Sequence, residues 1–291
     1  MANVLVVTDT VACIPSELAE ELNIEIIPAA ILNIGGKDYI EDVDITADEA
    51  YEYLKQDADK FSTTPVTPEY LLAQYRKLGK ENKEILFIPL SSALSALMKT
   101  ATIMADEYKK EAPEVNIRIV DSRGVAGTQG LVALAAARAA AKGLSLEEVA
   151  SVAEKTRQVT GGLMMLDTLK YIYRTGRMSK LKARLISLLN IRPINKMMED
   201  GTIEMVDRDR KREKGLKKLA DMIGKEAGTD ALHFAISHSA AREMAEGFAE
   251  ALKAKYNVLS MLISNYSPVM GYGGGPGCIF VGFHPELDFT A

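Results

Sequence analysis

Phe87-Ile88-Pro89-Leu90-Ser91-Ser92-Ala93-Leu94-Ser95-Ala96 carries an apolar, strand-like segment straight into a hydroxyl-rich segment that reads as the start of a helix. Ile85–Ile88 is apolar at every position, the pattern of a strand buried on both faces, which parallel sheets require. The first turn of a helix has unpaired backbone N–H groups and a partial positive charge, so an anion is stabilised there without any lysine or arginine. Serine hydroxyls add rotatable donors, and the segment reads as a carboxylate or phosphate cradle. A serine that only caps the helix produces the same pattern, so the surrounding sequence decides.

Working outward, short apolar runs alternate with amphipathic ones. The runs at Val4–Val7, Ile24–Ile27, Ile85–Ile88 and Ile117–Val120 predict strands. Helices are predicted near Pro15–Leu22, Ala47–Leu54, Pro68–Leu78, Ala93–Lys110, Gly127–Lys142 and Leu146–Thr156. Such alternation argues for an α/β fold with a mainly parallel sheet covered on both faces. Near Gly161-Gly162 lysine and arginine become frequent and strand signals scatter, which places a domain boundary there, with domains 1–160 and 161–291. The second half reads as mixed α/β. Helices are expected near Asp167–Tyr173, Leu181–Leu189, Glu213–Ile223 and Ala241–Lys253. Strands are expected at Pro193–Met197, Ile203–Val206, Leu232–Ile236, Val258–Ile263 and Ile279–Val281.

Composition narrows the function. The chain has 291 residues, which at roughly 150 per domain fits two domains. Its 35 basic and 40 acidic residues leave a net charge of −5, so no global field favours nucleic acid or an anionic membrane. Cys13 and Cys278 are the only cysteines and have neither metal nor redox spacing. Met1–Asp9 lacks the charged and apolar regions of a signal peptide, and Val132–Ala141 is too short to span a bilayer, so a soluble, cytoplasmic protein is expected.

Ligands collect beyond the carboxyl ends of the strands in an open parallel sheet. Thr8-Asp9-Thr10, Ser91-Ser92 and Asp121-Ser122-Arg123 all fall at that edge, and Ser62-Thr63-Thr64-Pro65 adds hydroxyls before a helix. Gly271-Tyr272-Gly273-Gly274-Gly275-Pro276-Gly277 fits a tight turn or a binding loop, but lacks the Gly-Lys-Ser/Thr ending of a phosphate loop. The basic cluster around Arg208, Arg210 and Arg212 fits a solvated face, docking to an acidic partner, or transient contact with an anionic membrane surface. His233, His238 and His284 have no metal-ligand spacing. A serine-dependent hydrolase or acyltransferase could be drawn from Ser92 or Ser95 with His238 and Asp121, but no Gly-x-Ser-x-Gly elbow supports it.

Taken in order, these motifs resemble the DegV family over essentially the whole chain. Thr8–Pro15 resembles its Thr-Asp-Ser opening, Ser62–Pro65 its Thr-Ser-x-Pro motif, and Ser91–Ser95 its Ser-Ser-x-Leu-Ser motif. Asp121-Ser122, Gly176–Ser179, Arg192-Pro193-Ile194 and Gly275-Pro276-Gly277 follow in family order. The resemblance implies a two-domain fold, with an N-terminal three-layer domain and a C-terminal two-layer α/β domain with a mixed sheet. It also implies a non-enzymatic protein without a metal or other cofactor, which binds one long-chain fatty acid such as palmitate, stearate or oleate between its domains. The carboxylate would sit on Thr63 and Ser95 with Ser62 and Ser92 nearby, among ligand-binding positions that also include Thr8, Asp9, Arg177, Gly273 and Gly274. Met164, Met165, Leu166, Leu185, Leu188, Leu189, Ile191 and Ile194 are the implied acyl-chain pocket. Sixteen buried carbons would contribute on the order of 10 kcal/mol before ordering costs.

By the same resemblance, the ligand is presented to a fatty acid kinase of dihydroxyacetone-kinase type for phospholipid synthesis, with Arg177, Arg210 and Arg212 available for docking. The chain departs from the family at two places. Gly273 stands where a histidine is often found and Ala96-Leu97-Met98 where Gly-Thr-Tyr is common, which implies either an altered head-group network, with Tyr272 or a water in the histidine's place, or a shifted ligand preference.

Overall fold

The structure, a computed structural model, describes residues 4–175, 191–228 and 231–287. β1 (Val4–Asp9), β2 (Ile24–Ile27), β6 (Glu84–Ile88) and β7 (Asn116–Ile119) form a parallel sheet in the order β2-β1-β6-β7. α1 (Ser16–Glu21), α5 (Gly127–Ala141) and α6 (Leu146–Val159) pack on one face against Val4, Val6, Leu86 and Ile88. α3 (Pro68–Leu78) and α4 (Leu97–Glu111) pack on the other against Leu5, Val7, Ile85 and Phe87. Alternate residues of each strand therefore enter different cores, which is why the runs read as continuously apolar.

β8 (Gly161–Met165), β9 (Arg192–Met197), β10 (Ile203–Asp209), β11 (Leu232–His238), β12 (Val258–Asn265) and β13 (Ile279–Pro285) make a mixed sheet, in the order β10-β9-β8-β13-β11-β12. Only β11 and β12 pair parallel within it. α7 (Arg212–Ala227) and α8 (Arg242–Lys255) cover one face, burying Leu163, Met165 and Ile194. The expected order, a parallel sheet followed by a mixed one, is the order found.

Several elements differ from expectation. β3 (Ala30–Ile34), β4 (Lys37–Ile40) and β5 (Phe61–Pro65) form an antiparallel sheet, β4-β3-β5, which buries Leu32 and Phe61 with Tyr51 and Leu54 of α2 (Ala47–Gln56). Ser62–Pro65 is thus a strand, which ends two residues before the Thr67 cap of α3. Its hairpin signal is Gly35-Gly36, both at positive φ (60° and 86°), between β3 and β4. Gly161-Gly162 opens β8, the first strand in the chain to join the mixed sheet. α4 begins at Leu97, not Ala93, so Ser91-Ser92 precede the helix and do not start it. Residues 167–171 are not helical, and only a short 3₁₀ turn follows at Ile172–Thr175. Gly271–Gly274 close a short helix, α9 (Pro268–Gly274). The helix expected near Leu181–Leu189 lies outside the described residues.

α5 joins the two large sheets. It buries 13 of its 15 residues, so both sides of the helix need a packing partner. One side meets β1 and the other meets β11 and β13. A Cβ on Gly127 would overlap the Ala235 carbonyl oxygen, and one on Gly282 would overlap the Gly127 backbone. The helix start and β13 therefore touch backbone to backbone.

Two buried acids tie the loops around this junction. Asp9 is fully buried, and its Oδ2 accepts from Leu90 N at 2.7 Å and its Oδ1 from Val11 N at 3.0 Å. Ser267 Oγ donates to Glu41 Oε2 at 2.7 Å, linking the end of β4 to the start of α9. Burial pushes Asp9 from 3.8 up to about 7 and Glu41 from 4.5 up to about 8, against hydrogen bonds that favour the charged forms.

Gly282→Ala is expected to cost about 2–3 kcal/mol in urea unfolding because backbone atoms must separate. Gly247→Ala, on the exposed face of α8 with nothing within 4 Å of the new methyl, should raise stability by about 0.5–1 kcal/mol. The buried acids set a pH dependence. A carboxyl raised on folding keeps protons that the unfolded chain releases, so its contribution is complete below about pH 4 and is lost as pH rises through 7 to 8. Unfolding free energy should therefore fall from pH 5.5 to 8.5, by on the order of 1 kcal/mol per unit for each acid at the steepest. Glu41→Gln should flatten that slope, and a slope unchanged by the substitution would refute the assignment.

Candidate functional site

The chain leaves β1 for β2 on one side of the parallel sheet and β6 for β7 on the other, so the loops after β1 and β6 diverge and leave a crevice. Asp9 pins the loop after β6 through Leu90 N. Thr8 Oγ1 donates to Ile88 O at 2.8 Å and accepts from Gln129 Nε2 at 3.0 Å. Further along, Ser91 N donates to Gly124 O at 2.9 Å and Ser91 Oγ to Gly201 O at 2.8 Å in the β9–β10 turn. The amides of Leu94 and Ser95 donate to Ser91 O at 3.0 and 3.2 Å, and Leu97 N donates to Ser95 Oγ at 3.1 Å. This folded loop presents Leu90, Leu94 and Ser95 to a cavity.

Thr63 and Pro65 of β5, with Ala29 and Ala30 ahead of it in the chain, form another wall. Met164 of β8, Ile203 of β10, and Ile172 and Thr175 of the 3₁₀ turn supply a third. Tyr266, Val269, Met270, Tyr272, Gly273 and Gly274, in and beside α9, complete the enclosure. Among the described residues the lining carries no charged side chain, so a polar ligand group meets hydroxyls rather than cations. Ser95 Oγ accepts from Leu97 N, which leaves its own O–H to donate into the cavity. An apolar enclosure with a few hydroxyls suits an amphiphile.

Of the residues expected from the sequence, Thr63, Ser95, Met164, Gly273 and Gly274 line this cavity. Others are placed elsewhere, for identifiable reasons. Ser62 is exposed, because the two-residue period of β5 turns it to the face opposite Thr63. Ser92 is exposed and donates from Oγ to Asp121 Oδ2 at 2.6 Å, on the outside of the loop. No histidine is hydrogen-bonded to Ser92 or Ser95 among the described residues, and His238 sits at the end of β11. Thr8 and Asp9 are buried behind the loop and hold it in place. Met165 and Ile194 face α7 because they alternate with Met164 and Asn195. Leu166 and Ile191 are buried in the same core as Met164 but do not line the cavity. Arg177, Leu185, Leu188 and Leu189 lie outside the described residues.

The two docking arginines differ. Arg212 Nη2 donates to Asp167 Oδ1 at 2.7 Å, and Arg192 Nε donates to the same oxygen at 2.8 Å. Burial alone would raise the Asp167 carboxyl, but these two guanidinium groups outweigh it and hold the carboxyl below its ordinary value. Arg210 is exposed, and its carbonyl accepts from Arg192 Nη1 at 2.7 Å.

Leu90, Leu94, Ile172, Thr175, Ile203, Tyr266, Val269 and Met270 were not expected at the site. The run Pro268-Val269-Met270 before the glycines is an apolar helix start that could have drawn attention to α9. At Gly273 a Cβ would lie 2.7 Å from Thr175 Cγ2, so Thr175 and Ile172 already fill the space a larger residue would need. Tyr272 lines the cavity and stacks on Phe61 with ring centroids 5.9 Å apart. Among the described residues no group of His, Cys, Asp and Glu could hold a metal ion, and no helix is long and apolar enough to cross a membrane. Cys13 and Cys278 are both buried free thiols.

The DegV family model, described as one of uncharacterised proteins, matches residues 3–286. A DegV domain-containing protein of Caldanaerobacter subterraneus subsp. tengcongensis is 30% identical, over 98% of this chain and 100% of its own. The solved structure of DegV from Bacillus subtilis, a fatty acid binding protein, is 27% identical and gives a TM-score of 0.86 over 98% of this chain and 100% of that one. The Streptococcus pneumoniae fatty acid kinase (Fak) B3 protein loaded with linoleic acid shares the fold, at 19% identity and a TM-score of 0.83, over 98% of this chain and 100% of its own. With the family matched from end to end and the same architecture in its solved members, this chain belongs to the DegV family.

Proposed function

We propose that this protein binds one long-chain fatty acid in the cavity between its parallel and mixed sheets, taking residues 1–160 and 161–291 as its two domains. The carboxylate accepts hydrogen bonds from Thr63 and Ser95, and the acyl chain lies along Leu90, Leu94, Met164 and Ile203. The observation that carries this reading is the lining itself, in which those two hydroxyls face an enclosure that is otherwise largely apolar and uncharged among the described residues. The Bacillus subtilis relative, described as a fatty acid binding protein, supports it. The affinity comes chiefly from the chain, because each buried CH₂ contributes about 0.8 kcal/mol, while the hydroxyls set the ligand's direction.

On this reading the protein is a cytoplasmic, non-enzymatic carrier. It presents the carboxylate to a fatty acid kinase of dihydroxyacetone-kinase type for acyl-phosphate formation and phospholipid synthesis. The likeness in fold to the Streptococcus pneumoniae fatty acid kinase protein supports that direction. Arg210, exposed beside the Asp167–Arg192–Arg212 network, is the docking contact.

Mass spectrometry of the natively purified protein should find a C14–C18 fatty acid, and stripped protein should take up palmitate. Absence of both would refute the reading. Ser95→Ala and Thr63→Val should each weaken palmitate binding about tenfold, as loss of a hydrogen bond to a charged group implies. Ser92→Ala, outside the cavity, should change it less than about twofold. With a fatty acid kinase, Arg210→Glu should slow acyl-phosphate formation while the protein keeps its lipid, and an unchanged rate would remove Arg210 from the docking surface.

A further inference from the structure

Asn195 is completely buried, and neither its Nδ2 nor its Oδ1 has a hydrogen-bond partner among the described residues. A buried carboxamide brings two donors and an acceptor out of water, and leaving them unpaired is a cost that leucine at the same position would not carry. Its place in the sheet gives that cost a meaning. Asn195 lies directly opposite Met164 on β8 and Met205 on β10. Residues opposed in antiparallel strands project from the same face, and on this face Met164 and Ile203 line the cavity. The adjacent β9 residues turn the other way, with Ile194 in the core under α7 and Lys196 paired to Glu226 of α7 at 3.0 Å. Pro193 and Met197 share the cavity side, so Asn195 is the one polar side chain that β9 directs there.

The amide thus lies on the same sheet face as the cavity lining, between Met164 and Met205, without itself lining the cavity. Methionine is unbranched, with three rotatable bonds, and yields to a neighbour more readily than leucine or isoleucine. On the side away from Asn195, Met164 lies opposite Phe280 of β13, and its sulfur accepts the soft contact of Tyr266 Oη at 3.8 Å.

Resting on the fatty-acid reading above, we infer that Asn195 makes the cavity selective for acyl chains that carry an oxygen function, a hydroxyl or keto group, part-way along the chain. Nδ2 donates to that oxygen, and Oδ1 accepts the hydrogen when the group is a hydroxyl. A plain alkyl chain leaves both halves of the amide unpaired, whereas a hydroxylated chain satisfies both.

The test measures binding of stearate, 10-hydroxystearate and 12-hydroxystearate to lipid-stripped full-length protein and to its Asn195→Leu variant, by calorimetry, with thermal unfolding of both. The expected result is that at least one hydroxystearate binds the unaltered protein about tenfold more tightly than stearate. Asn195→Leu should abolish that preference, retain stearate binding, and be at least as heat-stable as the unaltered protein. Equal affinities within twofold for all three acids in the unaltered protein would overturn the inference and leave the fatty-acid reading standing. A preference that survives in Asn195→Leu would also overturn it, by assigning the recognition to another residue. If none of the three acids binds, the fatty-acid reading falls and this inference with it.

Discussion

The backbone contact between Gly127 and Gly282 is the constraint around which the molecule is arranged. α5 has no solvent side to speak of, since one flank completes the parallel-sheet core and the other is covered by β11 and β13. A helix that is apolar all round is stable only between two partners. Bringing the helix start against β13 without side chains between them sets the spacing of the two sheets. The cavity lies where the loop after β6 faces Met164 and Ile203 of the mixed sheet.

The cavity walls come from elements held by quite different forces. The loop after β6 is shaped by the buried acceptor Asp9, by Ser91 bonded to Gly201, and by its own amides returning to the Ser91 carbonyl. The small antiparallel sheet that carries Thr63 is fastened through Glu41 to Ser267, and through Tyr51 Oη to Tyr266 O at 2.7 Å. α9 thereby fixes two walls at once. These buried polar ties explain why an apolar enclosure keeps a defined shape, since each would leave an unsatisfied group if the walls moved apart.

Much of this was legible beforehand. Val4–Val7 and Ile85–Ile88 are apolar at every position because both sheet faces are covered, and continuous burial is visible without a structure. Thr63, Ser95, Gly273 and Gly274 stand out in the sequence through their hydroxyls or glycines and the order of the surrounding motifs, and the fold places them along one cavity. The antiparallel sheet was missed because its strands are short and partly polar, and because Gly35-Gly36 signals a hairpin only when both flanks are read as strands. The helix start at Ser91-Ser92 was misplaced because a serine-rich turn and a capped helix share a composition, and they differ only in where the amides find acceptors.

From its sequence alone this chain determined an α/β fold with a parallel sheet first and a mixed sheet second, since burial period and element order are local properties of the residues. It also determined which hydroxyls were worth considering. Tertiary structure alone decided that Met164 and not Met165 lines the cavity, and it places there Thr63 and Ser95, the pair the resemblance already favoured over Ser62 and Ser92. The physical reason is that adjacent residues on a strand point to opposite faces, and which face meets the cavity depends on strands and loops far away in the chain.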